Sequence, residues 1–249
     1  MSFNALVLAG SRPGGDPLSG HEGVPHKALI DVGGKPMLAR VVEALRDAGA
    51  ARVGVSCNAA EVEKLARTLG AEVLPTGHGP SDSATLAFAH LGAPMLITTA
   101  DHALLEPNWV RQLIEETPAD SDISLMLARR DRVEAAAPGS KRTWLRFADG
   151  DWSGCNLFLL ATPQAQTALD LWAGIEADRK RPWRIVARLG MGAILGYALG
   201  RLTLSGGLAQ LGRRHGIQVA VVPAADGLAA VDVDSERDLA DVRRIVAGA

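Results

Sequence analysis

The sequence predicts an α/β domain with a mainly parallel mixed sheet, spanning residues 1–249 as one unit. Two observations carry this. Short apolar runs alternate with helical patterns about every 25 residues through the first half, the rhythm of βαβ units. No repeat, low-complexity tract or linker interrupts the chain, and 47% hydrophobic against 22% charged residues suffices to bury one large core.

The elements follow in order. Ala5–Leu8 is an apolar run ending in Ala9–Gly10, a buried strand entering a loop. Ser11–Pro25 is crowded with Gly, Pro, Ser and Asp, which predicts no regular element. Pro36 opens a helix, with Met37, Val41, Val42 and Leu45 on one face and Gly49 near its end. Val53–Cys57 reads as a strand, Ala60–Leu69 as a helix and Ala71–Leu74 as a strand. A glycine-rich loop, Thr76–Asp82, leads into a helix from Ser83 to Leu91, and Pro94–Thr98 is a fourth buried strand with Asp101 just beyond it. The second half is less regular. Its strand candidates are Ile123–Ala128, Thr143–Phe147, Cys155–Leu160, Val219–Val222 and Ala230–Val233. Its helix candidates are Pro163–Asp178, Trp183–Leu199, Gly206–His215 and Glu236–Val246.

A net charge of -2 offers nucleic acid no bulk attraction, so none is expected as a partner and any anion recognition is local. Cys57 and Cys155 match neither a zinc spacing nor CxxC, which predicts reduced, mostly buried thiols and a cytoplasmic setting. Met1–Gly10 has no basic segment followed by a long apolar core, so no secretory signal is expected. The uncharged stretch Leu189–Gly200 is well short of the roughly 20 residues a membrane span needs.

In an open α/β sheet, ligands bind beyond the carboxyl ends of the strands, where three informative segments fall. The first is Leu8-Ala9-Gly10-Ser11-Arg12-Pro13-Gly14-Gly15 followed by His26-Lys27-Ala28-Leu29. Its glycines let backbone N–H groups approach phosphate, and Arg12 and Lys27 can offset the charge. It is not a Walker A loop, since Gly34-Lys35 runs into Pro36, and no GxGxxG opens the helix. The second is Gly77–Ser83, where Gly79 and Ser83 can meet a nucleotide base ahead of a helix, or Ser83 or Asp82 can simply cap it. The third is Asp101, a carboxylate able to hold a hard cation bridging phosphates, although a turn role suits it equally. Near the C-terminus, Val231-Asp232-Val233-Asp234 puts two carboxylates on one face of an expected strand and two valines on the other. Asp234 alone can instead cap the next helix. Gly154-Cys155-Asn156 offers an amide at a strand edge for an acceptor. Arg179–Arg184, with Arg188 one turn further, is a dense basic cluster around Trp183. Its Arg181 and Arg184 can bind an acceptor phosphate or the head-group of a lipid-linked or bulky acceptor.

Leu8-Ala9-Gly10, then Lys27, then Gly34-Lys35-Pro36-Met37-Leu38 resembles the opening of the nucleotidyltransferases related to molybdenum-cofactor guanylyltransferase. The likeness continues through Thr99-Ala100-Asp101, Gly154-Cys155-Asn156 and the D-x-D-x-x-x-D-L ending from Asp232 to Leu239, spanning nearly the whole chain in order. It departs from the family at Ser11, where glycine is usual, at Gly14–Val24, which reads as an insertion, at His26, where proline is commoner, and at His102-Ala103.

The resemblance implies a three-layer Rossmann-like fold of the glycosyltransferase-A type. It implies nucleotide cradling by Leu8, Ala9, Gly10 and Ser11, with Arg12 matched loosely and Lys27 on the triphosphate. It implies Mg²⁺ on Asp101, completed by Asp232 or Asp234. The expected activity is Mg²⁺-dependent transfer of NMP from an NTP to a small phosphorylated acceptor. Two alternatives stand beside it: a glycosyltransferase using a nucleotide-sugar, which needs no triphosphate-binding Lys27, and a nucleotide-binding regulator without turnover.

Overall fold

A computed structural model describes residues 2–11, 14–177 and 191–248. Its main sheet runs in the order β10-β7-β9-β6-β1-β4-β5, with β8 paired to β9. These strands are β1 (Phe3–Ala9), β4 (Ala50–Cys57), β5 (Glu72–Leu74), β6 (Met95–Thr99), β7 (Ile123–Arg129), β8 (Leu145–Phe147), β9 (Gly150–Leu160) and β10 (Val219–Pro223). A separate two-residue pair, β2 (Asp31–Val32) and β3 (Lys35–Pro36), forms a small ribbon. β1 is parallel to β4 and β6, and β10 is parallel to β7. β9 alone on the main path is antiparallel, to both β6 and β7. The expected mainly parallel α/β sheet is what the chain builds.

Residue alternation in β1 explains the layers. Ala5 and Val7 point into a core with α2 (Met37–Asp47), α3 (Ala60–Thr68) and α5 (Pro107–Glu116). Leu6 and Leu8 point the other way, toward α4 (Pro80–Leu91) and α7 (Gln166–Ala177). Both faces are covered, as a parallel sheet requires. α2 shows how a stripe docks: Leu38, Val41, Val42 and Leu45 are all fully buried. Each such side chain contributes about 1.5–3 kcal/mol of burial.

The chain leaves β1 for β4 and β5 on one side, then returns to β6 on the other. Loops after β1 and β6 therefore diverge and leave a crevice between them, the switch point of an open α/β sheet. Pairing of β6 with β9 stops at Ile97 and Phe158, which widens the opening. Between Leu125 and Leu127, β9 carries extra residues relative to β7, and Asn156 within this bulge has φ 50. Asparagine is one of the few side chains that tolerates that left-handed conformation, and a bulge re-aims the side chain that sits on it.

Several expectations change. Ser11–Pro25 is not wholly irregular, because Asp16 caps a short helix, α1 (Pro17–His21), by accepting from Leu18 N at 2.9 Å. Pro17 takes the first turn, where its missing N–H costs nothing. Ala230–Val233 is not a strand of the sheet. Gly227–Ala230 forms a 3-10 turn, and an added Cβ on Gly227 would lie 2.1 Å from Arg132 O of α6 (Arg130–Ala136). That close approach carries residues 231–234 over the crevice, where Val233 N bonds Asp101 O at 3.1 Å instead of a strand neighbour. Val231 and Val233 are buried as their alternation suggests. α5 and α6 were not anticipated. The first rests on Trp109, Val110 and Leu113, and the second is largely charged with Val133 as its buried anchor.

The helix expected at Trp183–Leu199 lies partly outside the described residues, which show α8 (Met191–Ala198). α9 (Leu204–His215) and α10 (Glu236–Val246) follow the sequence pattern. Cys57 and Cys155 are buried with free thiols. No helix among the described residues is long and apolar enough to cross a membrane.

Candidate active site

A cleft of about 480 Å³ opens at the switch point. Leu8, Ala9, Gly10 and Ser11 line it from the end of β1, Asp16 and Ser19 from the cap and body of α1, His26 and Lys27 from the next turn, and Asp101 and Asp234 from positions more than half the chain apart. The loop is fixed by Ser11, whose N and Oγ both donate to Asn58 Oδ1, at 3.0 and 3.1 Å. Gly10 lines the cleft, and an added Cβ there would stand 3.2 Å from Thr76 Cγ2, a tight approach. Arg12 lies outside the described residues.

Lys27 starts a 3-10 turn (Lys27–Leu29) capped by His26. Its Nζ donates to Asp101 Oδ2 and to Asp234 Oδ1, each at 2.8 Å. The lysine side chain is 14% exposed, Asp101 22% and Asp234 68%. Burial alone would lower the Lys27 pKa, but attraction to Asp101 and then Asp234 outweighs it and holds the ammonium above the ordinary lysine value. Asp101 Oδ1 is buried and has no partner among the described residues. A buried, unpaired carboxylate oxygen is costly, which marks it as a place for a ligand.

Asp232 goes elsewhere. Arg142 Nη1 pairs with its Oδ1, Arg142 Nη2 donates to its backbone O at 3.1 Å, and Asn156 Nδ2 donates to its Oδ2 at 2.8 Å. Both carboxylate oxygens are therefore engaged inside the protein. Burial raises the Asp232 pKa, Asp234 and Asp101 add to the rise, and Arg142 opposes it, so the three carboxylates feel one another. Arg142 also reaches Asp238 Oδ1 at 3.3 Å. Asp238 Oδ2 in turn accepts from Ser235 Oγ at 2.7 Å while Ser235 Oγ accepts from Asp238 N at 3.2 Å, a reciprocal cap at the start of α10. Ser235, not Asp234, is thus the cap, which leaves Asp234 for Lys27. Arg142 is only 7% exposed. Arg142→Leu is expected to destabilise the fold by about 3 kcal/mol, since it strands a buried carboxylate. Urea unfolding measures this, and an unchanged midpoint would contradict the assignment.

Gly79 and Ser83 stand apart from the cleft lining. Ser83 Oγ donates to Gly79 O and accepts from Gly77 N, both at 2.9 Å, so its hydroxyl braces the loop. Gly79 is the helix cap, and an added Cβ would fall 2.1 Å from Glu176 Oε1. Asn156 is committed to Asp232, and Arg181 and Arg184 lie outside the described residues. Among the described residues no group of three or more His, Cys, Asp and Glu side chains is arranged as a metal cage. Sequence reasoning gave no role to Arg142, which sits in a region without a motif. Asp16 and His26 line the cleft too; His26 stood out in the sequence only as the neighbour of Lys27 and a departure from the family, and Asp16 carried no signal of its own.

The MobA-like NTP transferase domain matches residues 5–192. The chain belongs to this family. The family resemblance seen in the sequence is thereby confirmed, and the match takes in the opening motif and Asp101 but stops before the acidic ending; nucleotidyl transfer in general is the family's chemistry. A transferase structure from Thermus thermophilus, described as hypothetical, is 30% identical with a TM-score of 0.81, covering 96% of this chain and 100% of that one. CMP:2-keto-3-deoxy-manno-octonic acid synthetase, solved with CTP, is 18% identical with a TM-score of 0.61, covering 100% and 99%. A nucleotidyl transferase from Methanothermobacter thermautotrophicus is 19% identical with a TM-score of 0.60, covering 99% and 98%. The last two share the fold.

Proposed function

We propose that this family member transfers the NMP part of an NTP to a small phosphorylated acceptor, with Mg²⁺ and with release of pyrophosphate. The convergence of Lys27, Asp101 and Asp234 at the mouth of the glycine-lined cleft carries the reading. In the reaction, an acceptor phosphate oxygen forms a bond to the α-phosphorus. The bond from that phosphorus to the bridging oxygen breaks, and pyrophosphate leaves with the electron pair.

This chain's residues position and neutralise, and they supply no covalent intermediate. The β1 loop places backbone groups against phosphate, and Lys27 exchanges a carboxylate for a phosphate oxygen. Mg²⁺ suits the donor set, because Asp101 keeps a buried free oxygen and Asp234 is exposed, whereas Asp232 is occupied by Arg142 and Asn156. Asp101 and Asp234 would hold the ion, which when bound offsets charge on the phosphates. Asp232 instead fixes the segment from which Asp234 reaches the cleft.

The test is calorimetric binding of ATP, GTP, CTP and UTP with and without Mg²⁺, followed by pyrophosphate release with candidate acceptor phosphates. CTP is a natural first choice because the synthetase of like fold was solved with it. Mg²⁺-dependent NTP binding and pyrophosphate formation are expected. Release of free NDP from nucleotide-sugars would favour the glycosyltransferase, and binding without turnover on any phosphorylated acceptor would favour a regulator.

A further inference from the structure

We propose that His26 is a triphosphate-binding residue, presenting a neutral Nε2–H donor into the cleft beside Lys27. The inference rests on the nucleotidyltransferase reading and adds a ligand contact that the fold and motifs do not supply.

The backbone N–H of Ala28 donates to His26 Nδ1 at 3.0 Å. A backbone amide can only donate, so Nδ1 must hold a lone pair and the ring proton of the neutral form must sit on Nε2. The turn thus fixes the tautomer, in the way a hydrogen bond to one ring nitrogen dictates the state of the other. His26 is 7% exposed and lines the cleft with Gly10, Ser11, Lys27 and Asp101. Among the described residues no partner is found for Nε2, while Nδ1 is satisfied.

Charging the ring would require a second proton on Nδ1 and would break the bond from Ala28. Burial, with Lys27 next door, also lowers the His26 pKa, against a smaller pull from Asp16. His26 therefore offers direction without charge. Lys27 adds charge, and both are held by the same short turn. Backbone on either side is constrained: His26 is extended at φ -153, and Leu29 N closes the turn on His26 O at 2.9 Å. A donor so held costs little to order when phosphate arrives.

The plain competing role is capping alone, and two substitutions separate it from binding. In His26→Asn the side-chain oxygen can accept from Ala28 N, as asparagine does at caps, but nothing reaches where Nε2 stood. In His26→Gln the amide N–H reaches that place, but the short-range cap is lost. Calorimetry with the NTP that wild type binds best, plus Mg²⁺ and no acceptor, is run beside thermal unfolding. His26→Asn is expected to keep a near wild-type Tm and to weaken binding about 5- to 10-fold, the loss of one hydrogen bond. His26→Gln is expected to bind within about 3-fold of wild type at a lower Tm. If His26→Asn binds as wild type does, or affinity falls only in step with Tm, His26 is a cap and the proposal is overturned. If wild type binds none of the four NTPs, the nucleotidyltransferase reading fails first and takes this inference with it.

Discussion

Lys27→Ala is expected to lower kcat/KM for pyrophosphate release by about 100- to 1000-fold, the scale of removing a preorganised charge from a phosphoryl-transfer site. Lys27 lies within 2.8 Å of both Asp101 and Asp234, in a cleft whose other wall is the β1 loop. Its loss removes the cation and leaves two carboxylates facing incoming phosphates. Attraction to those carboxylates keeps the ammonium charged through the neutral range, so the loss should be alike at pH 6.5 and 8.5. The fold should survive, because, of the two carboxylates left behind, Asp234 is largely exposed and Asp101 partly so, and Mg²⁺ can take over part of the lysine's charge. Steady-state kinetics beside circular dichroism measures both, and near wild-type turnover in a folded variant would remove Lys27 from the reaction.

Asp101→Asn should reduce turnover by about 100-fold or more and flatten its response to Mg²⁺. Asparagine keeps the shape, so Ala100 N can still bond Leu8 O and Val233 N the carbonyl of residue 101. The charge is what goes. Asp101 Oδ1 is buried without a partner among the described residues, and the change leaves Asp234 as the one carboxylate paired with Lys27 there. A Mg²⁺ titration of activity unchanged from wild type would show that the cation is held elsewhere.

Alternation and periodicity made the layers legible. Apolar β1 and the Leu38, Val41, Val42, Leu45 stripe of α2 could pack in few other ways. Lys27, Asp101 and Asp234 were legible as residue types at the ends of expected elements, although the pattern could not divide Asp232 from Asp234. That division depends on Arg142 and on the bulge at Asn156, contacts spanning 90 and 76 residues that no local spacing encodes. The Asp232–Asp234 segment looked like a strand because Val231 and Val233 alternate with carboxylates. Its valines are buried against neighbouring elements, and its backbone found Asp101 in place of a sheet edge. α1 was hidden because a five-residue helix set by an Asp cap and a proline has too few turns to show a period.

Most directly tested is the arrival of one cation and one triphosphate at the Lys27 cleft. Crystals grown with a non-hydrolysable NTP and Mn²⁺ in place of Mg²⁺ would locate the cation by its anomalous signal. An anomalous peak between Asp101 and Asp234, with Lys27 Nζ turned onto a phosphate oxygen and Asp232 still on Arg142, is the predicted result. Phosphates bound away from the β1 loop, or a cation remote from Asp101, would contradict it.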